Sequence, residues 1–127
     1  MLDTSVIVDL ETIDPDLLPD EPALSAITLA ELTVGPHAAK DGAERTARQL
    51  VVQTAEATFE AISFNANTAR AYGAVYAAVA ATGRKAQGRR MADLFTAATA
   101  LAESLPLYTR NPADLAGLEG LIQIVTI

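Results

Sequence analysis

The sequence contains no cysteine. Disulfides, thiolate metal sites and cysteine nucleophiles are therefore excluded, and the fold must rest on packing alone. Histidine is scarce as well. His37 is the only one, and its place beside Gly35-Pro36 reads as a loop residue rather than part of a zinc site. No apolar run reaches the roughly 18 residues that a membrane-spanning helix needs. Basic residues are missing from Met1 to Glu31, a stretch with eight acidic ones. That leaves no basic region for a signal peptide, because Asp3 and Asp9 stand where Lys or Arg would be required. The expected location is cytoplasmic, with no membrane partner.

What is present suits one globular domain. The chain has 127 residues, 50% of them hydrophobic, and a domain of that length buries roughly two-thirds of its unfolded surface. The expectation is a single domain over 1–127. The net charge of −7 counts against nucleic-acid binding, since phosphate backbones favour basic partners. Its distribution counts the other way. Arg84, Lys85, Arg89 and Arg90 fall within seven residues, and Arg110 follows later. A solvated loop before a helix and a phosphate-holding patch are both open readings of that cluster.

Patterning alternates strands with helices. Asp3-Thr4-Ser5 combines a strand end with a helix-start signature, predicting a very short first strand and a helix over 5–10. Pro15, Pro19 and Pro22 among acidic residues mark an irregular connection. A strand over 23–27 precedes a helix over 28–34, stopped by Gly35-Pro36. Ala47, Leu50, Val51 and Ala55 give helical spacing within 41–58. A strand over 59–64 leads to Asn65, a helix cap. The helix over 68–82 carries Ala69, Tyr72, Val75, Tyr76 and Val79 on one face. After the basic loop 83–88 come a helix over 90–104, a strand over 106–109, a turn from Asn111-Pro112 and a terminal strand over 121–127. This order argues a three-layer α/β fold, a small mostly parallel sheet between helices.

In such a sheet, ligands gather at the carboxyl ends of the strands. Asp3 ends the first strand, Glu31 lies one turn into the helix after the second, Asp93 opens a later helix, and Asn111 and Asp114 follow a late strand. All are expected on the same rim. Two charges about 4 Å apart repel by about 4 kcal/mol at an effective dielectric near 20. A cluster of this kind persists only if a cation neutralises it or some members stay protonated. Oxygen donors suit Mg²⁺ or Mn²⁺. Each acid also has a plain reading, Asp3 as a helix cap and Glu31 as a surface residue. The apolar neighbours of Glu31 (Leu29, Ala30, Leu32) and of Asp93 (Met91, Ala92, Leu94, Phe95) favour burial, and buried charges need partners.

Four segments together resemble the PIN-domain ribonucleases, and among them the VapC toxins. Leu2-Asp3-Thr4-Ser5-Val6-Ile7 looks like the first motif of that family. Ser25-Ala26-Ile27-Thr28-Leu29-Ala30-Glu31-Leu32 is similar to the second, Asp93-Leu94-Phe95-Thr96-Ala97-Ala98 to the third, and Tyr108-Thr109-Arg110-Asn111-Pro112-Ala113-Asp114-Leu115 to the fourth. Asn111 stands where the family often has Asp, and only two residues precede Asp3. The resemblance implies a PIN fold with an acidic pocket for one or two Mg²⁺ or Mn²⁺ ions, held by Asp3, Glu31 and Asp93 with Asn111 or Asp114. It implies hydrolysis of RNA, with tRNA and rRNA among the candidate substrates, leaving 5′-phosphate and 3′-hydroxyl ends. It further implies a homodimer and a VapB-type antitoxin that covers the pocket. Thr4, Ser5 and Thr109 would orient ligands or waters around the metal. Arg84, Lys85, Arg89, Arg90 and Arg110 would hold phosphates.

Three rival readings are weighed against this one. A haloacid-dehalogenase-type phosphatase wants a second Asp two residues after the first, where this chain has Ser5. A response-regulator receiver wants paired acids after the first strand and a late Lys. A non-catalytic interaction module with a degenerate pocket gains from Asn111.

Overall fold

Helix starts are written into the side chains. In the computed structural model, which describes residues 1–127 apart from the side chain of Arg89, Asp3 caps α1 (Thr4–Val8) by accepting from the Val6 amide. Ser25 caps α2 (Ala26–Val34) through the Thr28 amide, and Asp41 caps α3 (Gly42–Thr58) through that of Glu44. Asn65 caps α4 (Ala66–Ala81) in a reciprocal box with Thr68. Each side chain satisfies an amide that lacks an intrahelical partner. The last long helix, α5 (Arg89–Ala102), starts after Gly88, whose φ of 58° is left-handed.

The strands are short and parallel. β1 (Ala23–Ser25) pairs with β2 (Glu60–Ile62), and β3 (Leu107–Thr109) pairs with β4 (Ile124–Thr126). Leu2 joins the two pairs by bridging in parallel to Leu24 on one side and Tyr108 on the other. Its neighbours complete the seam. The Leu2 amide donates to Ala23 O at 2.8 Å, the Asp3 amide to Tyr108 O at 3.0 Å, and the Tyr108 amide to Met1 O at 2.9 Å. The expected first strand is thus a central one of minimal length, hydrogen-bonded along both edges.

Alternation across this sheet divides the core in two. Met1 and Leu107 join Val75, Val79, Leu94, Ala97, Ala98 and Ala100 on the α4–α5 side. Leu2 and Leu24 join Val6, Ile7, Leu32, Val52 and Ala55 on the α1–α3 side. The layers are therefore helix, sheet, helix. Phe95 ties α5 to α4 by packing against Tyr72, ring centroids 4.8 Å apart and planes tilted by 52°, and meets Phe64 edge-on at 5.4 Å.

Several boundaries differ from the sequence reading for identifiable reasons. The strand expected over 23–27 stops at Ser25, because the Ser25 hydroxyl caps the next helix and draws Ala26 and Ile27 into its first turn. α1 ends at Val8, and Leu10–Thr12 forms a separate 3₁₀ turn. α4 begins two residues earlier than expected, directly after its cap. The face expected to be apolar in α4 is rotated: Thr68, Val75 and Val79 are buried, while Ala69 and Tyr76 face outward. On α3, Val52 and Ala55 are buried, while Leu50, one of the residues that gave the helical spacing, is 57% exposed. β2 and β4 are each trimmed to three residues. No helix among the described residues is long and apolar enough to cross a membrane.

Candidate metal centre

The carboxyl ends of the parallel strands open onto one pocket of about 840 Å³. Asp3, Thr4, Ser5, Glu31, Arg90, Asp93, Thr96, Arg110, Asn111 and Asp114 line it together with Val8, Asp9, Leu107 and Leu115. Five acidic or amide residues singled out in the sequence, separated by as much as the whole fold, thus share one cavity. Asp3 follows the central seam residue Leu2. Glu31 sits on α2, Asp93 in the second turn of α5, and Asn111 and Asp114 on the 3₁₀ turn Pro112–Leu115 and its cap. Glu31 and Asp93 are half-buried rather than buried: each stands on the pocket wall beside one buried leucine, Leu32 and Leu94, while Ala30 and Met91 are exposed.

Hydroxyl groups hold two of the carboxylates. Ser5 Oγ donates to Asp3 Oδ1 at 2.5 Å, and the Val6 amide donates to the same oxygen at 3.2 Å. Thr4 Oγ1 donates to Glu31 Oε1 at 2.6 Å. In both residues one oxygen is tethered and the other has no described hydrogen bond. Ser5 also accepts from the Arg110 amide at 3.0 Å and lies 3.5 Å from Thr109 Oγ1. Thr109, fully buried, accepts from the Asn111 amide at 3.0 Å. The three hydroxyl residues singled out in the sequence therefore connect the first, second and fourth motifs.

The donor set suits a hard divalent cation: carboxylate and amide oxygens facing a polar pocket, with neither sulfur nor imidazole. Among the described residues, no group of three or more acidic or histidine side chains is already drawn together tightly enough to hold an ion.

Among the described side chains, the basic residues do not all line the pocket. Arg90 and Arg110 line the pocket. Arg110 reaches Asp9 Oδ2 at 3.5 Å and Thr12 Oγ1 at 3.4 Å. Arg84 turns away from the pocket and donates to Ala113 O at 2.9 Å, which fastens the loop after α4 to the turn bearing Asp114. Lys85 is not among the lining residues, although its carbonyl accepts from Arg90 Nη1 at 3.3 Å. The side chain of Arg89 lies outside the described residues. His37 sits on the 3₁₀ turn Gly35–Ala38, apart from the pocket.

Sequence reading missed Ser25, Thr28 and Thr96 as parts of the site. They form a buried hydroxyl group beneath it, with Ser25 Oγ 3.2 Å from Thr28 Oγ1 and 3.3 Å from Thr96 Oγ1. The available signal was a Ser and two Thr at core-facing positions in otherwise apolar motifs.

Comparison with known proteins agrees with this architecture. The PIN domain family pattern matches residues 1–116. Ribonuclease VapC5 of Mycobacterium tuberculosis (strain ATCC 25618 / H37Rv) is 34% identical over 130 residues, covering 100% of this chain and 93% of the relative. The crystal structure of VapBC-5 from Mycobacterium tuberculosis, a member of the VapBC family of toxin–antitoxin systems, superposes with a TM-score of 0.84 at 33% identity, covering 99% of this chain and 94% of that one. VapBC2 from Rickettsia felis, bound to a DNA fragment from its promoter, gives 0.78 at 25% identity over 100% and 97% of the two chains. With the motifs in order, the strand seam at Leu2 and the acidic pocket at the strand ends, the chain belongs to the PIN-domain family, in its VapC branch.

Proposed function

We propose that residues 1–127 act as one PIN domain, the toxin ribonuclease of a toxin–antitoxin pair, and that it hydrolyses RNA with Mg²⁺ or Mn²⁺. The observation that carries this reading is the convergence of Asp3, Glu31 and Asp93, with Asn111 and Asp114, on one pocket at the strand ends. Ribonuclease VapC5 and the VapBC complexes support it through the family relationship.

Asp3, Glu31 and Asp93 would hold the metal, with Asn111 or Asp114 completing the set. When bound, the cation polarises the scissile phosphate and lowers the pKa of water for in-line attack, giving 5′-phosphate and 3′-hydroxyl ends. The protein's own contribution is positioning. Ser5 and Thr4 each tether one oxygen of Asp3 and Glu31, so these carboxylates enter the reaction with little freedom left to lose. Arg90 and Arg110 on the pocket wall supply the positive charge that a polyanion needs next to an acidic centre. The fourth position carries no charge at Asn111, so Asp114 is the only acid on that turn.

A VapB-type antitoxin is the partner in this reading. The structural neighbours VapBC-5 and VapBC2 are named as toxin–antitoxin assemblies. Val8 and Leu50, each more than half exposed, lie by a groove between α1 and α3, the kind of apolar surface that a partner covers. A homodimer is the accompanying proposal, with Tyr76 and the outward alanines of α4 as an available face.

The test is RNA cleavage by the purified chain with Mg²⁺ or Mn²⁺, compared with Asp93→Asn and with EDTA. Loss of cleavage in both arms is expected. Cleavage that survives EDTA would exclude the metal mechanism. Asn111, and the lack of a ready-drawn three-acid group among the described residues, favour one alternative, a non-catalytic PIN module. Absence of Mn²⁺ binding in calorimetry would select it.

A further inference from the structure

Beneath the pocket, a line of hydroxyls runs from α5 to Glu31. Thr96 Oγ1 lies 3.3 Å from Ser25 Oγ. Ser25 Oγ donates to Thr28 Oγ1 at 3.2 Å and accepts from the Thr28 amide at 3.0 Å. Thr4 Oγ1 lies 3.4 Å from Thr28 Oγ1 and donates to Glu31 Oε1 at 2.6 Å. Ser25 and Thr28 have no solvent exposure, and Thr96 has 3%.

Either hydroxyl can donate in the contact between Ser25 and Thr96, and a side chain without a hydroxyl at position 96 removes it in both cases. The bond joins two helices that carry different parts of the site. Thr96 lies three residues after Asp93 on α5, on the same helical face. Ser25 is the cap of α2, the helix that carries Glu31. A buried hydroxyl costs desolvation that valine, of the same shape, would avoid. Its neighbours at 97, 98 and 100 are fully buried alanines, and the equally buried Thr99 turns its hydroxyl back to Phe95 O within α5 at 2.9 Å, so Thr96 is the one of these hydroxyls that reaches α2.

We propose that Thr96 is a positioning residue. Its hydroxyl fastens the turn of α5 that carries Asp93 to the cap of the helix that carries Glu31, and so sets the spacing of the two carboxylates as metal ligands. This rests on the pocket being the metal-dependent site proposed above. Thr96 touches neither substrate nor metal in this role. It acts through the two helices.

The experiment measures Mn²⁺ binding by calorimetry and RNA cleavage for the whole chain, for Thr96→Val and for Thr96→Ser, with Asp3→Asn as the site control. Thr96→Val is expected to weaken Mn²⁺ binding about 10-fold, the lower end for groups that orient metal ligands. It should lower kcat while the KM for RNA stays within about twofold, because phosphates are held elsewhere. Thr96→Ser keeps the hydroxyl and should recover most of the binding. Should Thr96→Val fail to fold in thermal melts, Thr96→Ala, which cannot overpack, takes its place against Thr96→Ser. Wild-type Mn²⁺ affinity in the hydroxyl-free variant overturns the inference if the parent binds Mn²⁺ and Asp3→Asn does not. A parent chain that binds no Mn²⁺ overturns the site reading itself, and the inference with it.

Discussion

Thr4 and Glu31, 27 residues apart in sequence, meet in a hydrogen bond of 2.6 Å from hydroxyl to carboxylate. The bond crosses from the first turn of α1 to the middle of α2 and leaves Glu31 with one tethered oxygen. A charge-assisted bond of this length is among the stronger ones a side chain makes. Thr4→Val keeps the shape and removes the donor. Cleavage should fall roughly 10-fold to 100-fold, the range for groups that orient metal ligands, while Thr4→Ser should retain most of it. Steady-state cleavage of RNA across Mn²⁺ concentrations reads the effect, and equal rates for Thr4→Val and the parent would remove Thr4 from the site.

Asp3 has two duties that substitution can separate. It caps α1 through the Val6 amide and is the proposed ligand that follows the central seam. Asn caps nearly as well as Asp, whereas Ala does not, at a cost of about 1 kcal/mol. Asp3→Asn is therefore expected to melt close to the parent and lose cleavage, while Asp3→Ala loses both cleavage and stability. Thermal melts beside cleavage assays distinguish them. An active Asp3→Asn enzyme would mean that the cap is the whole role of Asp3.

The motifs and the helix caps were legible because they depend on local chemistry. Asp3, Asn65 and the Gly35-Pro36 stop act within a few residues of themselves. The alternation of strands and helices gave the layer order for the same reason. What could not be read was set by tertiary packing. The spacing of Ala47, Leu50, Val51 and Ala55 gave the helix but not its buried face: α3 packs through Val52 and Ala55, and Leu50 faces the groove. Arg84 looked like a phosphate ligand because it stands among other cations, yet the fold turns it to the Ala113 carbonyl. The hydrogen bonds among Ser25, Thr28 and Thr96 join segments that no periodicity connects.

The separate places of Arg84 and Arg110 predict different salt behaviour. Arg110 lines the pocket and Arg84 does not. For single-stranded RNA, each neutralised phosphate contributes about 0.7 to the slope of log affinity against log salt. Arg110→Gln should weaken RNA binding and make that slope shallower by about 0.7 for each phosphate that Arg110 neutralises. Arg84→Gln should leave the slope intact and lower the melting temperature, through the freed 112–116 turn. Binding isotherms at several salt concentrations decide between them. Equal slopes for Arg110→Gln and the parent would take Arg110 off the RNA path.

One acid limb of stability is attributable to the start of α3. The Lys40 amide donates to Glu44 Oε2 at 2.6 Å, and Arg48 bonds Oε1 at 2.7 Å. The backbone bond, aided by the Arg48 charge, holds the Glu44 carboxyl below its ordinary value. A carboxyl lowered in the folded state stabilises the fold above its unfolded pKa, and that contribution is lost as pH falls through the folded value. Glu44→Gln should therefore cost stability at neutral pH and make the acid decline shallower, with parent and variant converging at low pH. Urea melts from about pH 7 to about pH 3 follow this window. Because the ion pair with Arg48 is partly open to solvent, the difference should also shrink with added salt.

Gly117 offers the sharpest steric prediction. Its φ is 96°, a backbone region that side chains rarely adopt, and an added Cβ would lie 2.8 Å from Thr82 Cγ2 at the end of α4. Two penalties are therefore expected for Gly117→Ala: a left-handed strain of roughly 1–2 kcal/mol and a clash that Thr82 must move to relieve. The segment involved also contains Ala116, whose carbonyl lies 3.5 Å from Arg84 Nη1, and it follows the turn bearing Asp114. Displacing it should reduce both stability and Mn²⁺ affinity. Thr82→Ser removes the offending methyl and keeps the hydroxyl that donates to Val79 O at 2.6 Å. In the double variant the clash disappears while the backbone strain stays. Partial recovery of the melting temperature is the expected result, and full recovery would show that the conformation at residue 117 carries no strain of its own.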